Sequence, residues 1–163
     1  SLHDALPILY DIRQLVDSCK RHPLDPVNDN TLFATVKAQV KNVGKENSDY
    51  VGLLFISSQN AGPAPRPNKS LVSYQRLNNI KTRTEQTINL PLTLGSLARA
   101  DENGDLVIFP GDYKIALDIS ESLPFKFTLR GPPVVIDKLP RQKPHYDFTV
   151  PVHIQSPPTE AQS

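Results

Sequence analysis

The chain has 163 residues, 38% of them hydrophobic, and a formal net charge of +1 at neutral pH. This length suits one domain with a core and room for tails. The balanced charge favours neither nucleic acid nor an anionic membrane as a partner, and no apolar run approaches the roughly 18 residues of a membrane span.

The first predicted element is a short amphipathic helix over about residues 9–20. Residues 1–8 fit no helix start, and we expect them to be a remnant unrelated to the domain. Apolar residues then recur at helical spacing at Leu9, Ile12, Val16 and Cys19. We expect Asp11 to lie in the first turn, where a carboxylate suits the helix dipole. A polar linker follows, so residues 9–30 are interpreted as helix and linker.

Cys19 is the only cysteine, so no disulfide can form within this chain. Two interpretations stay open. One is a buried apolar thiol, which is the ordinary state of a free cysteine. The other is a cysteine whose partner lies elsewhere in a longer secreted protein.

Short strands fill the middle of the chain. Residues 32–41 alternate between apolar and polar, whereas 49–57 are almost continuously apolar, as in a strand covered on both faces. Five further strands are predicted at 71–77, 87–94, 106–109, 113–117 and 125–129, with turns at 81–85 and 101–104 and one helical turn at 95–98. This spacing predicts an all-β, two-sheet antiparallel sandwich, with a barrel as the lesser alternative. The expected core residues are Val36, Val40, Leu53, Phe55, Leu90, Leu92, Tyr113, Ile115 and Phe127.

The end of the chain, residues 141–163, is a proline-rich tail. Within it, apolar residues alternate once more at Tyr146, Phe148, Val150, Val152 and Ile154, a pattern compatible with an added edge strand despite Pro151. We expect residues 155–163 to be disordered, because they carry too little apolar surface to bury.

Four ordered motifs carry a family resemblance over about residues 9–140. They are residues 10–19, 49–55, 68–76 (Asn-Lys-Ser-Leu-Val-Ser-Tyr-Gln-Arg) and 90–99 (Leu-Pro-Leu-Thr-Leu-Gly-Ser-Leu-Ala-Arg). Together they resemble the C-terminal fibronectin type III-like domain of family 3 glycoside hydrolases, in particular the fungal exo-acting β-xylosidases. The turn at residues 101–104 resembles the same branch. The chain departs from the family at Thr82-Arg83, where members often have Pro-Gly.

The resemblance implies a fibronectin type III-like domain over residues 31–140. It implies an accessory part of a secreted, extracellular β-xylosidase, which takes xylooligosaccharides from the non-reducing end. The upstream catalytic domains of the same polypeptide would be its partner, and they would hold the catalytic Asp and Glu. A free-standing sandwich that binds a protein or carbohydrate is the alternative, since fold alone does not separate the two.

The chain itself offers no catalytic constellation. Asp101, Glu102 and Asp105 form the only tight acidic cluster, and a turn would leave all three in water, whereas retaining glycosidases hold two carboxyls about 5 Å apart in a pocket. A turn-forming role is therefore preferred for them. The four histidines lie far apart at spacings that do not suit a metal site. We expect no catalytic residue, no metal site and no cofactor.

The segment from Pro63 to Leu77, together with an apolar face of the strand at 49–57, is the predicted contact with the missing domains. Its alternate prolines make a stiff, extended segment that has little conformational freedom to lose on docking. The predicted interface residues are Pro63, Pro65, Pro67, Lys69, Tyr74 and Arg76. In the same segment, Asn68-Lys69-Ser70 is an N-glycosylation sequon, which makes Asn68 a candidate glycosylation site.

Overall fold

The computed structural model describes residues 8–118 and 122–139, with the side chains of 122 and 123 left aside. This part contains two short helices, α1 (Ile12–Ser18) and α2 (Leu94–Leu97). It also contains ten strands: β1 (Ile8–Asp11), β2 (Leu32–Lys41), β3 (Ser48–Ser58), β4 (Ser70–Ile80), β5 (Glu85–Thr93), β6 (Arg99–Ala100), β7 (Leu106–Ile108), β8 (Gly111–Leu117), β9 (Ser122–Arg130) and β10 (Val134–Asp137).

The strands form one large sheet and two small ones. The large sheet has the order β1-β9-β8-β3-β4, the pair β2-β5 forms a second sheet, and β10-β7-β6 form a third. Every pair is antiparallel except β1 with β9, which is parallel. Side chains of the large sheet and of β5 meet in one apolar core. The predicted all-β antiparallel sandwich is therefore confirmed.

Most of the predicted core residues are buried. Five are buried: Leu90, Leu92, Tyr113, Ile115 and Phe127. Val36 and Val40 of β2 are half-buried and pack against the core cluster. The alternation of β2 and β5 predicted the correct inward face, because one face of each strand is apolar.

The predicted face of β3 was wrong. Leu53 and Phe55 are half-buried on the outer side of the sheet, whereas Leu54 is 1% exposed and Ile56 is 8% exposed in the core. The strand is apolar at nearly every position, so its period does not distinguish the two faces. The outer side of β3 is consequently unusually apolar.

The predicted start of the first helix was also wrong. Residues 9–11 belong to β1, which pairs with β9 through Leu9 beside Thr128 and Asp11 beside Arg130. Asp11 is the N-cap, and its carboxylate accepts a hydrogen bond of 3.2 Å from the backbone N–H of Gln14. The helical spacing correctly identified Ile12 and Val16 as the buried residues of α1. Residues 9–11 are in a strand instead, because they pair with the large sheet.

The predicted turns are present, and the departure at Thr82-Arg83 has a specific geometry. Arg83 has a φ of +61°, the left-handed region that the usual Gly of this turn adopts without strain. Its backbone N–H donates to the carbonyl of Asn42 at 2.8 Å, which ties the turn to the end of β2. The added strand predicted at 146–154 and the disorder predicted at 155–163 lie outside the described residues.

A candidate domain interface

The proline-rich loop between β3 and β4 is fastened by one side chain, Arg99. Its Nη1 donates to the carbonyl of Ala61 at 2.7 Å, and its Nη2 donates to the carbonyls of Pro63 and Pro65 at 2.9 and 2.8 Å. Hydrogen bonds from a charged donor are stronger than neutral ones. Because Arg99 is the first residue of β6, it anchors the loop to the start of that strand.

Gly62 lets the loop approach this anchor closely. Its φ is +77°, and a Cβ there would lie 2.8 Å from Cδ2 of Phe109 and 2.9 Å from Nη1 of Arg99. The Gly62 carbonyl accepts a further hydrogen bond of 2.9 Å from Nε of Arg66. Loop shape is therefore set by contacts within the chain, before any partner binds.

Beside the loop lies an apolar surface on the outer side of the large sheet. We call it the outer apolar face, and it consists of Val51, Leu53, Phe55, Leu71 and Tyr74. Three of these residues are strongly exposed: Val51 at 40%, Leu71 at 50% and Tyr74 at 70%. Cross-strand pairing joins Leu53 to Tyr74 and Phe55 to Leu71, so they form one continuous patch. Exposed contiguous apolar surface of this kind is typical of interaction sites.

Charged side chains border the outer apolar face. Nζ of Lys69 lies 5.2 Å from the centroid of the Phe55 ring, a cation–π contact. Arg76 donates from Nη2 to Asp49 at 2.8 Å, and the backbone N–H of Asn79 donates to the same carboxylate at 2.7 Å. The Asn79 N–H, followed by Arg76, holds the pKa of Asp49 below its usual value. This arrangement fixes the Arg76 guanidinium beside the apolar patch.

The six predicted interface residues fall into two adjacent groups. Lys69, Tyr74 and Arg76 lie on or beside the outer apolar face, and the three prolines are exposed in the loop. Pro67 and Leu71 line the same cavity, of about 240 Å³, which connects the loop with the face.

Sequence reasoning gave no role to Arg99, whereas Leu71 and Val51 lie in the two segments, Pro63–Leu77 and residues 49–57, that it expected to contact another domain. The acceptors of Arg99 are backbone carbonyls, which leave no trace in side-chain pattern. Which of the apolar residues of β3 face outward, Val51 among them, was not predictable, because a nearly uniform apolar run does not distinguish the two faces of a strand.

The acidic cluster stabilises the turn at residues 101–104. The carboxylate of Asp101 accepts from the backbone N–H groups of Asn103 and Asp105 at 2.8 and 3.0 Å, and Gly104 has a φ of +79°. The expectation that water reaches all three carboxylates was wrong for Asp105, which is 6% exposed and accepts from the N–H of Leu139 at 2.9 Å. Across residues 8–118 and 122–139, no group of three His, Cys, Asp or Glu side chains could hold a metal ion.

Two further candidates have simple surroundings. Asn68 is exposed in the loop, two residues before β4 begins. Cys19 is half-buried, and its thiol donates to the carbonyl of Leu15 at 3.2 Å. Burial raises the pKa of this thiol.

Within the described ranges no helix is long and apolar enough to cross a membrane.

The antiparallel strands in two layers are the arrangement of a fibronectin type III-like domain. The family model for that domain matches residues 50–121. The chain is 40% identical over 131 residues to a probable exo-1,4-β-xylosidase, bxlB, of Aspergillus terreus, covering 76% of this chain and 17% of the relative. A probable exo-1,4-β-xylosidase, xlnD, of Neosartorya fischeri is 41% identical over 134 residues, covering 81% and 17%.

A solved structure gives the same result. A family 3 exo-β-xylosidase, XlnD, in complex with a xylobiose aziridine activity-based probe superposes with a TM-score of 0.69 and 34% identity, covering 82% of this chain and 17% of that one. The chain carries a fibronectin type III-like domain and is homologous to one region of the family 3 exo-β-xylosidases. This finding confirms the resemblance indicated by its motifs. The chain spans only 17% of the length of these relatives.

Proposed function

We propose that the chain is the non-catalytic accessory domain at the C-terminal end of a secreted β-xylosidase, where it braces the catalytic domains of the same polypeptide. The parent would remove xylose units from the non-reducing end of xylooligosaccharides. The observation that carries the proposal is the similarity of at least 40% to exo-1,4-β-xylosidases that are about six times longer than the matched region.

The outer apolar face supplies the bracing surface. A monomer rarely exposes a continuous apolar patch without a partner for it, and the centre of an interface is typically apolar with a polar rim. Tyr74 is the natural anchor, because it is 70% exposed and tyrosine is enriched among residues that dominate binding energy. Arg76 and Lys69 form the rim.

The proline-rich loop docks beside this face as a preformed element. Arg99 and Gly62 already fix its backbone, so little conformational entropy is lost when a partner covers it. Association is thereby favoured without additional contacts. Loop and face together give the domain a surface of defined shape.

Secretion and glycosylation accompany this proposal. An extracellular parent passes through the compartment in which sequons are glycosylated. Asn68 is exposed on the surface of the domain, where it is accessible to this modification. The glycan would lie at the margin of the interface, since Pro67 and Lys69 flank it.

The rival function is a free-standing module that binds carbohydrate or protein. Carbohydrate modules present exposed aromatic rings, but the chain has no Trp and 7% aromatic residues. On the outer apolar face Tyr74 is the one strongly exposed ring, since Phe55 is half-buried, and a single exposed ring favours protein contact over a sugar platform.

The parent enzyme carrying Tyr74→Asp tests the proposal. We expect the parent's melting temperature to fall by several degrees, while the isolated chain keeps its own, because the lost contact lies between domains. Thr87→Asp, at an exposed position of β5, is the control and should change neither. Equal loss of stability in the isolated chain and the parent would place Tyr74 in the domain's own fold and contradict the docking role.

A further inference from the structure

An open apolar groove separates the two layers of the sandwich along one side. It has a volume of about 580 Å³ and runs between β2 and β9, with α1 at one end. Val36 and Ala38 line it from β2, Phe125 and Phe127 from β9, and Leu15 from α1. We call this space the β2–β9 groove. It lies between the layers, whereas the outer apolar face lies outside them.

The groove lies beside the smaller layer, which has two strands in the described part of the chain. There β2 pairs only with β5, so no described strand lies beside its other edge. The four inward residues of β2, namely Ala34, Val36, Ala38 and Val40, are half-buried although the opposite layer has five strands. A two-stranded ribbon is marginal in water, and an exposed edge is a template for one more strand.

The chain contains a segment with the matching pattern. Residues 146–154 place Tyr146, Phe148, Val150, Val152 and Ile154 at every second position, with polar residues or Pro151 between them. Such a strand has one apolar face, and the two-residue period would bring all five side chains to the same side. Pro151 falls on the polar side of the pattern, and proline is tolerated in a strand at the edge of a sheet.

The charges in the sequence and the length of the intervening chain allow this occupant. Asp147 lies on the polar side of the segment, and Lys37 and Lys41 lie on the polar side of β2. The described chain ends at Leu139, and Tyr146 follows seven residues later, which allows an extended span of roughly 23 Å. This span exceeds the radius of gyration expected for a folded chain of this length, which is roughly 15 Å.

We propose that residues 146–154 add to the free edge of β2 as a third strand and insert their apolar side chains into the β2–β9 groove. The tail would thus complete the core of the domain. Its partner is this chain's own segment, so the inference does not depend on the proposed xylosidase role.

Tryptophan fluorescence tests the proposal on the full chain, which has no Trp of its own. Phe148→Trp places the reporter on the apolar side of the segment, and Thr149→Trp is the matched control on the polar side. We expect the Phe148→Trp chain to emit at shorter wavelength and to be quenched by acrylamide at least threefold less than the control. Equal quenching of the two chains would overturn the proposal.

Hydrogen exchange provides a second readout that does not depend on the reporter. In a chain that ends at Leu139, we expect the amides of β2 to exchange at least tenfold faster than in the full chain. Those of β3, which has a neighbour on each side, should exchange at the same rate in both. Unchanged β2 exchange would overturn the proposal, as would protection that disappears on tenfold dilution, because the occupant would then be a second copy.

Discussion

The hydroxyl of Tyr50 donates a hydrogen bond to the carboxylate of Asp118 at the end of β8. Asp118 has a φ of +61°, and its backbone N–H donates to the carbonyl of Leu53 at 2.7 Å. The pair therefore fixes the point at which β8 leaves the large sheet. Burial, and then the Asp118 carboxylate, raise the pKa of Tyr50 to about 12.

The raised pKa values of two tyrosines predict a loss of stability at alkaline pH. Burial also raises the pKa of Tyr113 to about 12. In the unfolded chain a tyrosine loses its proton near pH 10, so above that pH the folded state binds more protons than the unfolded state. The stabilisation is complete below pH 10 and is lost as pH rises toward 12, which for Tyr113 amounts to about 2 to 3 kcal/mol.

Tyr113→Phe isolates this contribution. The hydroxyl of Tyr113 donates to the carbonyl of Phe109 at 2.5 Å, so the variant should lose about 1 kcal/mol at pH 7. Its free energy of unfolding, measured with urea from pH 8 to 12, should then decline less steeply than that of the unsubstituted chain. An identical slope would show that Tyr113 does not titrate as expected.

Arg99→Lys should loosen the proline-rich loop. A lysine ammonium is a compact point charge and does not span three carbonyls as the guanidinium fork does. We expect amides of residues 59–69 to exchange several-fold faster, with a loss of roughly 2 kcal/mol in the free energy of unfolding. Arg13→Lys, at an exposed position of α1, is the matched control. Unaltered exchange in the loop would mean that its prolines alone set its shape.

The two leucines in the middle of β3 should differ sharply on truncation. Leu54→Ala removes a side chain that is 1% exposed and should cost about 3 kcal/mol in the free energy of unfolding. Leu53→Ala, on the outer apolar face, should cost about 1 kcal/mol. Urea unfolding of both variants measures the difference, and a reversed order would place Leu53 in the core.

The chain by itself should not cleave glycosides. The Asp101 carboxylate accepts hydrogen bonds from the backbone N–H groups of its own turn, and it lines neither of the two cavities described above. An aryl-xyloside assay on the purified chain should give the rate of the buffer. Release above that rate that disappears in Asp101→Ala or Glu102→Ala would refute this prediction.

The sequence predicted the fold well where one face of a strand is apolar and the other polar. The alternation of β2 and β5 identified the inward residues, and the turn residues at 101–104 identified a hairpin. It failed at β3, because a strand apolar on both faces carries no phase, and at residues 9–11, because pairing between distant segments overrides local helical spacing. For the candidate interface, the segment Pro63–Leu77 was proposed from its residues and stays a prediction, whereas the role of Arg99 was missed, because its acceptors are backbone carbonyls that no side-chain pattern marks.

The hydrogen bonds between Arg99 and the loop also limit how the length of the loop can change in evolution. The three acceptors of Arg99 belong to Ala61, Pro63 and Pro65, at alternate positions of a loop that bends over residues 59–64, with Gly62 at a positive φ, rather than running extended as its prolines predicted. Adding or deleting one residue between them would turn the next carbonyl away from the guanidinium. Surface loops usually tolerate changes of length, whereas this one is expected to keep its residue count while its exposed side chains vary.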